Sequence, residues 1–140
     1  MHHKYIIFGD LTKYTWGFEE RTRMWDAMTE FKTHAAIALE NQHNAKQFFS
    51  GPLHIHGTFY LGYSKDIPRH KRQNNILHTK KPTMSALLYF VEHIASGILF
   101  DTGSNIAAIS ASKLYTADEP RMEIEITSLK TNPLQIMEHI

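Results

Sequence analysis

The sequence contains no cysteine, almost no excess charge and no long apolar run, and each absence excludes a class of protein. Without cysteine, the 140-residue chain has no disulfide, no thiolate zinc site and no thiol nucleophile. No apolar run approaches the roughly 20 residues of a membrane-spanning helix, and the opening MHHKYIIFGD lacks the apolar segment of a signal peptide. We therefore expect a cytoplasmic protein without a membrane partner.

The rest of the composition is that of an ordinary globular domain. Hydrophobic residues make up 42% of the chain and charged residues 21%. A chain of this length can bury a core without metal or disulfide support. We predict a single domain over residues 1–140, in which residues 128–140 form a C-terminal tail that the pattern does not define.

Positive charge is concentrated in one stretch of the chain. Residues 65–81 carry six of the fifteen basic side chains and one acid, Asp66, although the whole chain has a net charge of only +1. The remaining residues therefore carry nine basic and thirteen acidic side chains, a net charge of −4. Such a basic cluster is typical of a phosphate-binding surface, and it is equally compatible with a solvated loop.

Hydrophobic periodicity predicts four strands and two helices. Strands are expected over residues 4–9, 53–60, 106–115 and 121–127, where β-branched and aromatic residues run together or alternate with polar ones. The segment between residues 63 and 81 is expected to be a loop with one helical turn.

The first helix is predicted over residues 26–44, with Asp26 as its N-cap. The second begins after Pro82, is capped by Thr83 or Ser85, and ends near Gly97. The expected fold class is α/β (α+β), with a mixed sheet of about four strands and two main helices.

Two histidines, His54 and His56, share the polar face of the second predicted strand. A pair of imidazoles can contribute two ligands to a metal ion, but no third ligand is evident in the sequence. We interpret both as surface histidines.

Several sequence blocks in a fixed order carry a resemblance to a known family. They are GPL at 51–53 leading to FY at 59–60, HTKKP at 78–82, GILF at 97–100, KLY at 113–115 and PRMEIEI at 120–126. Together they resemble the RusA family of Holliday junction resolvases. The resemblance implies a RusA-like domain, a homodimer, and binding of four-way DNA that the family cuts with Mg²⁺ held by aspartates.

The positions at which that family holds its catalytic residues carry other residues here. They are Thr83 and Ser85 in place of two aspartates, Ala86 in place of an asparagine, Tyr89 in place of a lysine, and Thr102 and Gly103 in place of paired acids. Neutral hydroxyls do not supply the anionic ligands that Mg²⁺ usually recruits from protein.

Other acids are poor substitutes for the missing ligands. Glu92 lies nine residues beyond Thr83, about 13.5 Å along a helix, which is too far to share an ion with the helix start. Asp101 remains as a weak candidate metal ligand. We therefore expect no catalytic residues and no bound Mg²⁺.

Three functions are compatible with these observations. The leading hypothesis is an inactive RusA-like protein that binds branched DNA in recombination and repair. The cations expected to contact phosphates are Arg69, Lys71, Arg72, Lys80 and Lys81, with Arg23 as a further candidate. The alternatives are a structural subunit that reuses the scaffold in a larger assembly, and an active Mg²⁺-dependent endonuclease whose ligands are Asp101 with His93 or Glu92.

Overall fold

The computed structural model describes residues 2–13, 21–44 and 46–129, and the side chains of the first helix from residue 29 onward. Residues 130–140 of the predicted tail lie outside the described part, as do residues 14–20 and the side chain of Arg23.

The described residues form five strands and two α-helices. In chain order they are β1 (His2–Phe8), α1 (Arg21–His43), β2 (Leu53–Leu61), β3 (Ile76–Leu77), α2 (Met84–Ala95), β4 (Ile106–Tyr115) and β5 (Arg121–Ser128). This mixed arrangement of helices and sheet confirms the predicted fold class. The bounds of β4 are those that the sequence predicts.

The strands form one mixed sheet in the order β1-β5-β2-β4-β3. The β2–β4 pair is parallel and the other pairs are antiparallel. Parallel neighbours need a crossover connection, and α2 lies in the segment that joins β2 to β4. The additional strand, β3, has only two residues, both exposed, so it carries no alternation that a sequence pattern could reveal.

One face of the sheet packs against both helices and forms the core. The sheet contributes alternate residues of β2 and β5, and the helices contribute Phe31, Ala35 and Leu39 from α1 and Leu87, Phe90, Val91, Ile94 and Ala95 from α2. The Phe31 and Phe90 rings meet with their centroids 5.5 Å apart. Burying a large apolar side chain contributes roughly 1.5–3 kcal/mol, so this face holds the domain together.

The opposite face of the sheet is polar and partly exposed. Glu123 accepts ion pairs from Lys4 at 2.5 Å and Arg121 at 2.9 Å, and the Arg121 guanidinium lies 3.9 Å from the centre of the Tyr60 ring. Burial opposes ionisation of Glu123, but the hydrogen bonds from Lys4 and Arg121 outweigh it and lower the pKa of the carboxyl.

His54 and His56 lie on this polar face and share one partner. His54 Nε2 lies 3.1 Å and His56 Nδ1 lies 2.7 Å from the Ser110 hydroxyl oxygen on β4. Across the described part of the chain, no three His, Asp or Glu side chains are grouped as metal ligands. The pair thus hydrogen-bonds across the sheet.

The first helix begins earlier than the sequence predicts. It starts at Arg21, so Asp26 lies within α1 and is not its N-cap. The five residues before Asp26 include neither proline nor glycine, and nothing local stops the helix from extending through them.

Two glycines lie where the backbone requires them. Gly9, which ends β1, has φ +148°, and a Cβ there would lie 2.9 Å from Phe31 Cζ. Gly97, two residues beyond the end of α2, has φ +85°. Only glycine adopts such conformations readily. Of the described helices, none is both long and apolar enough to cross a membrane.

Candidate nucleic-acid interface

A basic turn immediately precedes α2. Lys80 and Lys81 are exposed, the following Pro82 is buried, and the Lys81–Pro82 peptide bond is cis. Thr83 is the N-cap of α2, and its hydroxyl accepts a hydrogen bond from the Ala86 N–H at 3.3 Å, which confirms one of the two predicted caps. Two cations therefore lie beside a helix N-terminus, whose free N–H groups favour anions.

The side chain of Lys113, on β4, hydrogen-bonds to the backbone of this turn. Its Nζ donates to the carbonyl oxygen of Lys80 at 2.6 Å and to that of Pro82 at 2.7 Å. Partial burial lowers the pKa of the Lys113 ammonium. The two bonds join the backbone on either side of Lys81 to the sheet.

His78 also makes two hydrogen bonds that restrain the turn. Its backbone N–H donates to the Lys113 carbonyl at 2.9 Å, and its ring Nδ1 accepts from the Lys80 backbone N–H at 3.3 Å. The side chain is 7% exposed. Burial lowers the pKa of His78, and the charges of Lys113 and Lys80 lower it further, against opposing effects of the Lys80 backbone and Asp10. The neutral ring can therefore accept this hydrogen bond at neutral pH.

Aromatic ring contacts connect the turn with the basic loop that follows β2. The Tyr115 ring lies 4.4 Å from the His78 ring and 4.5 Å from the Tyr63 ring, measured between centroids. The Tyr63 hydroxyl donates to the Gln73 carbonyl at 2.6 Å. The loop and the turn, which carry the two groups of cations, consequently lie at the same end of β4.

The side chains predicted to contact phosphates differ in whether they already make hydrogen bonds within the protein. Arg69 and Lys71 lie in an exposed 3-10 turn (Arg69–Lys71). Arg72 instead donates through Nε to the Ile67 carbonyl at 2.9 Å and through one terminal nitrogen to the Ser64 carbonyl at 3.3 Å. Its guanidinium therefore has a structural role within the loop, which the sequence alone does not reveal.

The positions matched to the family's catalytic residues occupy α2 and the turn after it. Ser85 and Ala86 lie in the first turn of α2. Tyr89 is 69% exposed and stacks on His93, with 6.1 Å between ring centroids. The Thr102 hydroxyl hydrogen-bonds to the Ser104 hydroxyl.

Glu92 lies against Gly103, which sequence reasoning missed. A Cβ placed on Gly103 would lie 2.6 Å from the Glu92 carboxyl carbon, so this carboxyl group fills the space beside the glycine. The contact arises because the chain turns back after α2, where Ser96 and Phe100 form a β-bridge. No sequence signal announces it, since glycine has no side chain whose pattern could be read.

These residues do not fit a Mg²⁺ site. The Thr83 hydroxyl is already used as a helix cap, the Thr102 and Ser104 hydroxyls bind each other, and Gly103 offers no side chain. Glu92 contributes one carboxylate beside Gly103, and no three His, Asp or Glu side chains of the described residues are grouped as metal ligands. Hard divalent cations in proteins usually require more anionic oxygen than this.

Comparison with known families identifies the class of this protein. The model of the endodeoxyribonuclease RusA family matches residues 12–127, which is most of the chain. The chain belongs to the RusA family, whose members act on branched DNA as Holliday junction resolvases. No curated protein matches the sequence.

Proposed function

We propose that this protein is a cytoplasmic RusA-family homodimer that binds four-way DNA junctions in recombination and repair without metal-dependent nuclease activity. The observation that carries the proposal is the contrast between an organised basic surface and an incomplete set of metal ligands. The basic surface comprises Lys80, Lys81, Arg69 and Lys71, with Arg72 as a further contact.

The basic surface supports binding of a nucleic-acid backbone. Its cations come from two segments that the ring contacts of Tyr115 with Tyr63 and His78 hold at one end of the sheet. Lysine and arginine at such a surface contact phosphates without reading sequence, as expected for a protein that recognises the shape of a junction.

The residues at the matched positions support the loss of cleavage. Hydrolysis through Mg²⁺ needs oxygen ligands that hold the ion and activate water. Here the Thr83 and Thr102 hydroxyls are hydrogen-bonded within the protein, and no three His, Asp or Glu side chains of the described residues are grouped as metal ligands. No catalytic step is assigned to these residues.

The edge of β4 supports dimer formation. Among the described residues, β3 pairs only with Leu114 and Tyr115, so residues 106–112 have no strand partner on that side. Ala107, Ala108, Ile109 and Ser110 are all exposed, and this segment contains no charged residue or proline to discourage pairing. Its small side chains suit an antiparallel pair with the same segment of a second copy.

The experiment that tests the proposal is a gel assay with a synthetic four-way junction and a linear duplex of the same sequence. Each is measured in EDTA and in Mg²⁺ or Mn²⁺, and sedimentation gives the mass of the free protein. We expect a dimer that binds the junction selectively and leaves it uncut.

Two outcomes would contradict this. Symmetric, metal-dependent nicks that disappear in Glu92→Gln or Asp101→Asn would show an active enzyme with different ligands. Absence of binding to either DNA would favour a subunit that uses the scaffold for protein contacts.

A further inference from the structure

We propose that Lys113 is a positioning residue for DNA binding, whose ammonium group fixes the turn that presents Lys80 and Lys81 to phosphates. The inference rests on the proposed DNA-binding function and adds a residue that does not itself need to touch DNA.

Lys113 occupies an unusual place for a lysine. It pairs in register with Phe59 of β2, and paired residues of neighbouring strands point to the same face of the sheet. Phe59 is fully buried in the core, so Lys113 projects on the helix-covered side, beneath the segment that leads into α2. An apolar residue would suit this position if packing were its only role.

The Lys113 ammonium group donates to backbone carbonyl groups and not to a carboxylate. It donates to the carbonyls of residues 80 and 82, and no acid is among its described salt-bridge partners. Its two acceptors flank Lys81, so Lys113 restrains the backbone that carries both exposed lysines. A fixed turn avoids the conformational cost of ordering these residues when DNA binds.

The turn has a second restraint that also depends on residue 113. The backbone carbonyl of Lys113 accepts from His78, whose ring accepts from the Lys80 N–H. The main chain and the side chain of one residue therefore both restrain the turn. Replacing the side chain removes one restraint and leaves the strand pairing in place.

A double-mutant cycle separates positioning from direct contact. Lys113→Met and Lys113→Arg are each made in the natural protein and in a Lys80→Ala, Lys81→Ala background, and junction affinity is measured. We expect Lys113→Met to weaken binding by between about eightfold and 60-fold, as when one or two phosphate contacts are lost. In the background without the two lysines, it should weaken binding less than twofold, because nothing remains to be positioned.

Lys113→Arg supplies the rescue test, since a guanidinium can donate to both carbonyls. It should recover most of the affinity. Equal losses of affinity in both backgrounds would show that Lys113 contacts DNA itself and would overturn the proposal. A fall in melting temperature without any change in affinity would show a purely structural role and would also overturn it.

Two controls keep the test decisive. If Lys113→Met does not fold, Lys113→Gln, whose amide is uncharged and lies on a shorter side chain, replaces it in the same cycle. If the natural protein binds no junction, the proposed function itself fails, and the restraint is then measured by exchange of the Lys80 amide hydrogen. Faster exchange in the Lys113 variant would support the restraint, and unchanged exchange would overturn it.

Discussion

The two ends of β4 are built in different ways. At the end of the strand, Lys113 and Tyr115 make hydrogen bonds and ring contacts that hold a basic turn and a basic loop together. Before its beginning, the chain carries hydroxyls that bind each other and a glycine whose space is filled by Glu92. One strand therefore separates a surface organised for anions from a surface that lacks the ligands for a cation.

This difference is the basis of the proposal that the protein binds junctions without cutting them. A fold can keep the packing that positions a binding surface after the residues for chemistry have been replaced, because the two depend on different side chains. Three predictions test the contrast, in order of decreasing effect.

The largest effect is expected at the basic end. Lys80→Ala and Lys81→Ala should each weaken junction binding by roughly eightfold at about 0.1 M salt, and together by on the order of 60-fold, if each lysine neutralises one phosphate. The slope of log affinity against log salt should become shallower by about 0.9 for each lysine. Affinity titrations at several salt concentrations measure both quantities.

Lys46→Ala is the matched control for this prediction. Lys46 is also exposed, but it lies near Phe49 and Ser128 at the other end of the sheet. It should change affinity little. Equal effects of all three variants would mean that binding follows total charge and not the organised surface.

A smaller effect is expected at the other end, from Gly103→Asp. The backbone of Gly103 does not have the positive φ that favours glycine, so the cost comes from crowding and repulsion by Glu92. We expect a loss of roughly 1 kcal/mol in the free energy of unfolding. Because two carboxylates would then lie together, millimolar Mn²⁺ should recover this stability, whereas the natural protein should not respond.

Urea unfolding with and without Mn²⁺ measures this prediction, and Ser104→Asp provides a control with the same added charge at a neighbouring exposed residue. If Mn²⁺ stabilised the natural protein to the same extent, a metal site would already be present, and the contrast between the two ends would fail.

The smallest effect is expected on the stability of the protein when the pH is lowered. The pKa of His78 is lowered by burial and by the charges of Lys113 and Lys80, while the Lys80 backbone and Asp10 oppose the shift. Above the unfolded pKa of about 6.5, His78 is neutral in both states and its contribution is constant. As pH falls below this value, the unfolded chain binds the proton first, so stability decreases until the folded pKa is passed.

His78→Gln retains a hydrogen-bond acceptor but does not titrate. The natural protein should therefore lose more stability than His78→Gln between pH 7.5 and 5, in urea unfolding at matched salt. Parallel pH curves for the two proteins would show that His78 does not act in this way.

Much of the fold could be predicted from short-range patterns. Alternation defined β2 and β5, and the Thr83 cap and Gly97 bracketed α2, because these signals depend on residues close together in the chain. The start of α1 was predicted five residues too late, since a capping residue inside a helix looks like one at its end. Strand β3 was missed because two residues are too few to show a period.

The sequence by itself determined the fold class, the family, the cluster of cations and the identity of the residues at the matched positions. Only the tertiary structure decided which of these residues meet. The Lys113 restraint joins residues more than 30 positions apart, and Glu92 meets Gly103 because the chain reverses after α2. Periodicity reports which face a residue lies on, whereas such contacts depend on how distant segments pack, and no local pattern records that.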